Sequence, residues 1–206
     1  MEVERKYDVD ASTRVPDLSG MPGVVAVGDR EVRLLDAVYL DTRGLALATA
    51  AVALRRRSGG PDEGWHVKTS GPDGRHEYGW PLGADPLPDD LGSLVVPPAV
   101  RTAVAVWCAD DDLSPLARVQ NERHATALVD ADGALVAEFV DDHVTASDLR
   151  GGTSTAWREW EVELGPAAPA DPAWRERFFT AVDDAVTAVG GRQAASGSKL
   201  QRALGR

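Results

Sequence analysis

Charged residues occupy alternate positions at the start of this 206-residue chain. In the opening MEVERKYDVD, single residues separate Glu2, Glu4 and Lys6. Because a β-strand points alternate side chains to opposite faces, these two acids and one base would lie on the same face. Carboxylates bind divalent cations and an ammonium group attracts anions. One strand could therefore hold a metal ion beside the anion on which it acts.

The same alternation returns in three later segments. Arg55 and Arg57 would share one strand face, and so would His66 and Lys68. A third set is acidic and comprises Glu159, Glu161 and Glu163. Any one of these segments is typical of a solvated strand face. As a set, they divide into acid-rich segments early and late in the chain and base-rich segments between them, which indicates a common site.

A closed sheet would bring the two kinds of strand together, because closure makes the first and last strands neighbours. Four acids would then face three bases across the interior: Glu2, Glu4, Glu159 and Glu161 against Arg55, Arg57 and Lys68. Converging carboxylates repel one another unless a cation joins them, and oxygen ligands favour Mg²⁺ or Mn²⁺. Arginine binds phosphate oxygens in pairs. The pattern predicts metal-assisted phosphoryl transfer.

The elements that must position these groups are mostly strands. Strands are expected at 1–9, 31–42, 45–59 and 156–165, hairpins at 64–82 and 118–146, and helices at 98–113 and 171–191. The alanines permit a helix in part of 45–53. Asp171 is a candidate N-cap, and Pro172 suits the first helical turn. Seven or eight strands with few helices predict an antiparallel α+β protein, and we treat residues 1–206 as one domain.

Composition argues against several classes of partner. The net charge of −11 disfavours general binding to nucleic acid or to an anionic membrane, because both require a basic surface. No apolar run approaches the roughly 20 residues that span a bilayer. The single cysteine, Cys108, leaves no internal disulfide and fits a reducing compartment. We therefore expect a cytoplasmic protein without nucleic acid or membrane partners.

The histidines show no recognisable metal motif. His66, His76, His124 and His143 lack the spacing of a helical zinc site such as HExxH. We interpret these four residues as structural, and we interpret Cys108 as a packing residue within a helix.

An ordered series of motifs resembles the CYTH family of triphosphate tunnel metalloenzymes. The series begins with Glu2-x-Glu4-x-Lys6 and runs through about residues 2–202. Its further members are Tyr39-Leu40-Asp41-Thr42, Leu54-Arg55-x-Arg57, Lys68, Arg75-x-Glu77, Arg123, Asp141, Glu159-x-Glu161-x-Glu163 and Ser198-Lys199-Leu200. The resemblance implies a closed eight-stranded antiparallel β-barrel that forms a tunnel, with helices packed outside.

The resemblance also implies a site. Acids of the first strand and of the late acidic strand would hold Mg²⁺ or Mn²⁺ with help from an aspartate, and by position these are Glu2, Glu4, Asp141, Glu159 and Glu161. Glu163 enters the set if the late strand is shifted by two residues. The triphosphate would be bound by Lys6, Arg55, Arg57, Lys68, Arg75, Arg123 and Lys199. Of these groups, the resemblance implies a direct catalytic part for Glu4, Lys6, Arg57 and Lys68, while Glu77 would support the basic side.

The implied activity is hydrolysis of inorganic triphosphate to pyrophosphate and phosphate. Four alternatives remain open: a thiamine triphosphatase, a nucleoside triphosphatase, a class IV adenylate cyclase and a polyphosphate-binding module without catalysis. The segment SKLQRALGR resembles the junction that leads into a CHAD domain in many bacterial proteins. A CHAD domain outside this chain is therefore an expected partner.

Overall fold

The computed structural model describes residues 3–71, 74–83 and 86–205, and for Arg75 it describes the backbone only. Glu2 and the Arg75 side chain, both predicted for the site, therefore lie outside the described residues. The strands of the described part are β1 (Glu4–Val9), β2 (Ala26–Val27), β3 (Glu31–Thr42), β4 (Val52–Ser58), β5 (Gly64–Gly71), β6 (Gly74–Trp80), β7 (Leu113–Val129), β8 (Leu135–Asp148), β9 (Ser154–Leu164) and β10 (Arg192–Gln193). The α-helices are α1 (Ala46–Thr49), α2 (Pro98–Cys108), α3 (Pro172–Ala188) and α4 (Lys199–Ala203), and Leu91–Ser93 forms a 3₁₀ turn.

One antiparallel sheet holds all of these strands, in agreement with the predicted α+β class. Its order is β10-β1-β9-β8-β7-β3-β4-β5-β6, with β2 paired to one end of β7. The opening strand β1 lies beside the late acidic strand β9, as predicted. Lys6 is opposite Glu161 and Glu4 is opposite Glu163 in their ladder. The two acid-rich segments therefore form a continuous acidic surface.

The described sheet does not close into the expected eight-stranded barrel. Its two edges are β10 and β6, and these strands do not pair with each other in the described part of the chain. With two residues, β10 is too short to form a ladder along the seven residues of β6. Instead, residues from Gly197 to Leu204 line the cavity between the acidic and basic strands. The first strand and the late acidic strand are thus neighbours as predicted, although the barrel closure on which that prediction was based is not seen in the described sheet.

The outer face of the sheet packs against α3. Asp171 caps this helix, because its carboxylate accepts hydrogen bonds from the backbone N–H groups of Ala173 and Trp174 at 3.1 and 3.2 Å. A buried apolar cluster joins the two layers and includes Tyr7, Phe139, Trp160, Val162, Phe178 and Val182. The apolar side chains of β1 and β9 pack in this cluster on the outer face. The charged side chains that alternate with them therefore point to the inner face.

The inner face, which lines the cavity, is itself partly apolar. Ala37, Val119 and Val144 form a cluster there with Leu200 and Ala203 of the α4 segment. Ser198 begins this helix by accepting a hydrogen bond from the backbone N–H of Gln201 at 3.2 Å. Burial of the leucine and alanine side chains holds α4 against the sheet, and it places Lys199 at the helix start beside the acidic strands.

Two predicted elements have different bounds in the structure. The expected helix 98–113 ends at Cys108, because Ala109 adopts a positive φ of 46° and the chain then enters β7. The expected strand 45–59 is divided between α1 and β4, with Ala51 at a φ of 56° between them. No helix in the described part of the chain is long and apolar enough to span a membrane.

Candidate active site

A cavity of about 380 Å³ lies on the inner face between the acidic and basic strands. Its lining contains six basic residues: Lys6, Arg55, Arg57, Lys68, Arg123 and Lys199. Its acidic lining residues are Glu4, Asp62, Glu161 and Glu163. A protein with a net charge of −11 thus gathers six bases around one cavity. Such a group of bases favours a compact polyanion.

Three buried carboxylates form what we call the carboxylate cluster: Asp142, Glu159 and Glu161. One oxygen of each lies within 4.8 Å of the others. Pairing of β8 with β9 sets Asp142 directly opposite Glu159, and Glu161 follows two residues later on the same face. Less than a tenth of each residue is exposed to solvent. Such a group of ionised carboxylates requires positive charge at its centre.

Lys199 supplies much of that charge. Its Nζ lies 2.9 Å from Asp142 Oδ2, 2.5 Å from Glu159 Oε1 and 2.8 Å from Glu161 Oε1. Arg123 adds a bidentate pair with Asp142 at 2.8 and 2.7 Å and donates to Glu161 Oε2 at 2.9 Å. Lys6 also contacts Glu161. The cluster is therefore surrounded by three bases that the sequence analysis assigned to the substrate.

These contacts decide the protonation states. Burial alone would raise the pKa of Glu161, but the charges of Lys199, Lys6 and Arg123 hold that pKa well below its usual range. The pKa of Asp142 is lowered despite its burial, through Lys199 and Arg123. Burial would lower the pKa of Lys199, yet the surrounding carboxylates raise it. Asp142, Glu161 and Lys199 are accordingly charged at neutral pH.

The carboxylate cluster has the donor chemistry of a divalent cation site. Its ligand atoms are hard oxygens from two adjacent strands, the type that Mg²⁺ and Mn²⁺ prefer. In addition, the ammonium group of Lys199 lies within 2.9 Å of one oxygen from each of the three carboxylates, so the cluster already holds a cation in this structure. The residues present therefore fit a divalent metal ion.

On the opposite wall, Glu77 organises the basic strands. Its carboxylate lies 3.3 Å from Arg55 Nη2, 2.8 Å from His66 Nδ1 and 2.9 Å from Lys68 Nζ. Burial would raise the pKa of Glu77, but hydrogen bonding to His66 and the charges of Lys68 and Arg55 hold it far below the usual range. One anionic side chain thus contacts two cavity-lining bases, and the supporting part expected for it stays a prediction.

Arg57 lies next to this group on β4. It contacts the Asp62 carboxylate and donates to the Asp62 carbonyl oxygen at 2.8 Å. Burial and the neighbouring charge of Arg55 lower the pKa of Arg57. Its guanidinium is therefore a poorly solvated cation at the cavity wall, and an incoming anion would stabilise it.

Comparison with protein families matches this chain to the CYTH domain over residues 1–184. The chain belongs to the CYTH family. Two curated relatives, the uncharacterized proteins MT2285 and Rv2226 from two strains of Mycobacterium tuberculosis, are each 38% identical over 217 residues. The alignment covers 100% of this chain and 40% of each relative, so the chain spans about two-fifths of the length of the curated relatives it matches.

Solved structures support the CYTH fold at low sequence identity. A proposed adenylate cyclase from Bacillus halodurans superposes with a TM-score of 0.62 at 16% identity, covering 98% of this chain and 96% of that one. The proposed adenylyl cyclase HpAC1 from Hippeastrum gives 0.59 at 18% identity, covering 100% and 96%. The PH1819 protein from Pyrococcus horikoshii gives 0.55 at 13%, covering 100% and 99%.

Most of the predicted site residues of this CYTH domain meet in the cavity. Those that line it are Glu4, Lys6, Arg55, Arg57, Lys68, Arg123, Glu161, Glu163 and Lys199, and Glu159 lies behind them in the carboxylate cluster. Glu163 lies opposite Glu4 at one end of the acidic surface. The backbone of Arg75 is opposite Ser70, another lining residue, whereas its side chain is outside the described structure.

The structure does not bring Asp141 into this cavity. Asp141 lies on the outer face and forms a bidentate pair with Arg158 at 2.7 and 2.8 Å. The next residue, Asp142, occupies the cluster instead, because consecutive strand residues point to opposite faces. Sequence analysis missed Asp142 by one position. The signal that identifies it is its register with Glu159, which shares the inner face.

Sequence analysis also did not predict that Tyr39 lines the cavity. This residue lines the cavity, and its pKa is lowered despite burial by the charge of Arg55 and by a hydrogen bond to it. Tyr39 was noted only as part of a motif. Its position on the inner face follows from the alternation along β3, where it shares that face with Ala37 and Leu35.

Proposed function

We propose that this CYTH domain hydrolyses inorganic triphosphate to pyrophosphate and phosphate with the help of Mg²⁺ or Mn²⁺. The observation that supports the proposal is a cavity of about 380 Å³ lined by six basic side chains, with a buried carboxylate cluster at its wall. Bases alone would suffice for binding a polyphosphate. Buried acids beside them would repel the same anion, and they are expected where a metal ion joins protein and phosphate.

The basic residues bind the substrate in this proposal. Arg55, Arg57 and Lys68 contact phosphate oxygens from one wall, while Lys6, Arg123 and Lys199 do so from the other. In this structure, carboxylate groups of the protein hold these basic side chains in place. Phosphate oxygens of the substrate replace some of those carboxylate contacts when it binds. Arg57 adds most to the transition state, since burial and the charge of Arg55 give it a lowered pKa and only 8% of its side chain is exposed.

Asp142, Glu159 and Glu161 would hold the metal ion. When bound, the ion would neutralise phosphate oxygens and lower the pKa of a coordinated water. The carboxylate of Glu4 orients the attacking water and receives its proton. Attack on the terminal phosphorus forms one P–O bond and breaks the bond to the bridging oxygen, so pyrophosphate leaves with the electron pair. Lys6, beside Glu4 at 3.2 Å, stabilises the developing charge.

Inorganic triphosphate is favoured over nucleotides by the composition of the cavity wall. Tyr39 is the single aromatic residue among the lining residues of the described chain, and it is engaged with Arg55. A base or a thiamine ring would gain from additional stacking partners. The structurally similar HpAC1 is described with a dominant triphosphatase activity, which supports hydrolysis over cyclisation. Adenylate cyclase activity, named for two of the similar proteins, is the second candidate.

The decisive experiment measures phosphate release from triphosphate, ATP, thiamine triphosphate and pyrophosphate, each with Mg²⁺, Mn²⁺ or EDTA. We expect release from triphosphate that EDTA abolishes, and a large loss of turnover in Glu4→Gln with an unchanged unfolding curve. Glu176→Gln on the exposed side of α3 serves as the control.

Other results would change the assignment in distinct ways. Release from ATP or thiamine triphosphate would keep the site and change the substrate, and formation of cyclic AMP would favour the cyclase. Binding of long polyphosphate without hydrolysis and with no effect of EDTA would favour a binding module. The cytoplasmic location and the CHAD partner stay predictions.

A further inference from the structure

Two histidines and two carboxylates form a square on the outer face of β7 and β8. Glu122 and His124 are two residues apart on β7, and Asp141 and His143 are two residues apart on β8. The ladder sets His124 opposite Asp141 and Glu122 opposite His143. Each strand thus contributes one imidazole and one carboxylate, and the two imidazoles lie on a diagonal.

The donor atoms of this square are close together. Ligand atoms of His124, Asp141 and His143 all lie within 4.8 Å of one another. The two rings have centroids 5.0 Å apart, and Glu122 Oε1 is 2.8 Å from His124 Nε2. Ligands about 2.1 Å from a tetrahedral zinc ion are separated by about 3.4 Å. His143 Nε2 already lies 3.5 Å from Asp141 Oδ1, close to that separation.

We propose that His124, His143 and Asp141 bind a zinc ion on the outer face, with Glu122 or water as the fourth ligand. Two imidazole nitrogens and one carboxylate oxygen form a set that selects borderline transition metals over Mg²⁺. His143 has 44% of its side chain exposed, so an ion reaches the site directly from solvent. The low exposure of Asp141, 7%, gives the site one fixed ligand.

Arg158 orients that fixed ligand. It pairs with both oxygens of Asp141 at 2.7 and 2.8 Å and donates to the carbonyl oxygen of Ala11 at 3.1 Å. A carboxylate that binds a metal is commonly held by such an outer hydrogen bond. Each oxygen keeps a further lone pair for the ion. The positive charge of Arg158 lowers the affinity, so we expect binding at micromolar rather than nanomolar zinc.

The outer site is separate from the cavity. Arg123 and Asp142 alternate with its ligands along the same two strands, and both point to the opposite face. Variants of the histidines therefore leave the carboxylate cluster in place. The proposal does not depend on the proposed triphosphatase, because it concerns different side chains and a different metal.

The test is equilibrium dialysis of the metal-free protein against micromolar Zn²⁺ with millimolar Mg²⁺ present, which favours Mg²⁺ at the oxygen-only cluster. We expect about one zinc per chain in the wild type and at least a tenfold weaker affinity in His124→Asn and in His143→Asn. His76→Asn, an exposed strand histidine elsewhere, is the matched control. Circular dichroism checks that every variant is folded. Cobalt(II) in place of zinc should give visible absorption bands that His143→Asn removes.

Three results would overturn the proposal. One is the absence of zinc binding by the wild type at these concentrations. Another is equal zinc binding in the wild type and both histidine variants. The third is loss of the bound zinc in Glu161→Gln but not in His143→Asn, which would place the ion in the cavity. Metal-dependent triphosphate hydrolysis, measured on the same variants, tests the proposed function independently.

Discussion

The ammonium group of Lys199 lies 2.8 Å from Glu161 Oε1 and occupies the centre of three buried carboxylates. A residue assigned by sequence to the substrate thus neutralises the acids assigned to the metal. The same carboxylates cannot be fully shared by an ammonium group and a divalent cation, because both require the oxygens that point inward. We therefore expect the ammonium group and a metal ion to compete for the cluster.

Replacement of Lys199 by Met should destabilise the metal-free protein and increase its response to metal. Loss of one partner from a buried ion-pair network costs about 3–5 kcal/mol, because the remaining charges are uncompensated. Mg²⁺ should restore much of this stability, so the rise in Tm on adding Mg²⁺ should be larger in Lys199→Met than in the wild type. Gln201→Met, on the same segment and also in the cavity lining, is the control. Equal Tm shifts in all three proteins would contradict competition.

Changing Asp141 or Asp142 to Asn should have different effects: turnover should depend on Asp142 and not on Asp141. Asp142→Asn should lower turnover by about 100-fold, because the carboxylate cluster loses one member. Asp141→Asn should keep the turnover of the folded protein and lower the free energy of unfolding by about 3 kcal/mol, since Arg158 loses its carboxylate partner and keeps backbone carbonyl acceptors. Steady-state rates and urea unfolding of both variants give the comparison. The reverse assignment would follow if Asp141→Asn were inactive and Asp142→Asn active.

Arg57→Ala should reduce kcat for triphosphate by about 100- to 1,000-fold. The reason is the loss of a poorly solvated cation. The guanidinium group and the negative charge of the transition state stabilise each other. Arg177→Ala, an exposed arginine on α3, should have no effect and controls for net charge. Rates measured at saturating triphosphate separate this effect from weaker binding. An unchanged kcat in Arg57→Ala would remove this residue from the site.

Glu77 should contribute to the pH dependence of stability. Its pKa in the folded protein is far below the ordinary value of 4.5, through His66, Lys68 and Arg55. A lowered pKa stabilises the fold above the ordinary value, and this contribution is lost as the pH falls through the folded value. The stability difference between the wild type and Glu77→Gln should therefore shrink progressively below pH 4.5. Urea unfolding at several pH values between 6 and about 3 measures the difference; a constant difference would contradict the shifted pKa.

The charged faces could be predicted from the sequence because strand alternation is local. The bounds of β3, residues 31–42, were predicted as observed, and β1 and β9 are neighbours as expected, while the register that sets Lys6 opposite Glu161 is known only from the structure. Asp142 could not be distinguished from Asp141, because a shift of one residue changes the face of every side chain. The open sheet was also missed, since closure depends on distant edge strands rather than on any local pattern.

The paired histidines illustrate a second limit. A helix brings residues four apart together, and the four histidines of this chain do not have that spacing. In a hairpin, His124 and His143 meet because of the register between two strands, which is set by the turn and by packing. The sequence contains both histidines and both carboxylates, but their proximity exists only after β7 and β8 pair.

The cavity draws on segments far apart in the chain. Lys6 and Glu161 are 155 positions apart, and Lys199 comes 38 positions later still. During synthesis at roughly 5–20 residues per second, the basic strands exist for several seconds before the acids of β9 emerge from the ribosome. A nascent chain therefore exposes Arg55, Arg57 and Lys68 with Glu77 and Asp62 as their early counter-charges, before the acids of β9 exist. Cellular polyanions are expected to bind these strands more readily before translation reaches β9 than afterwards.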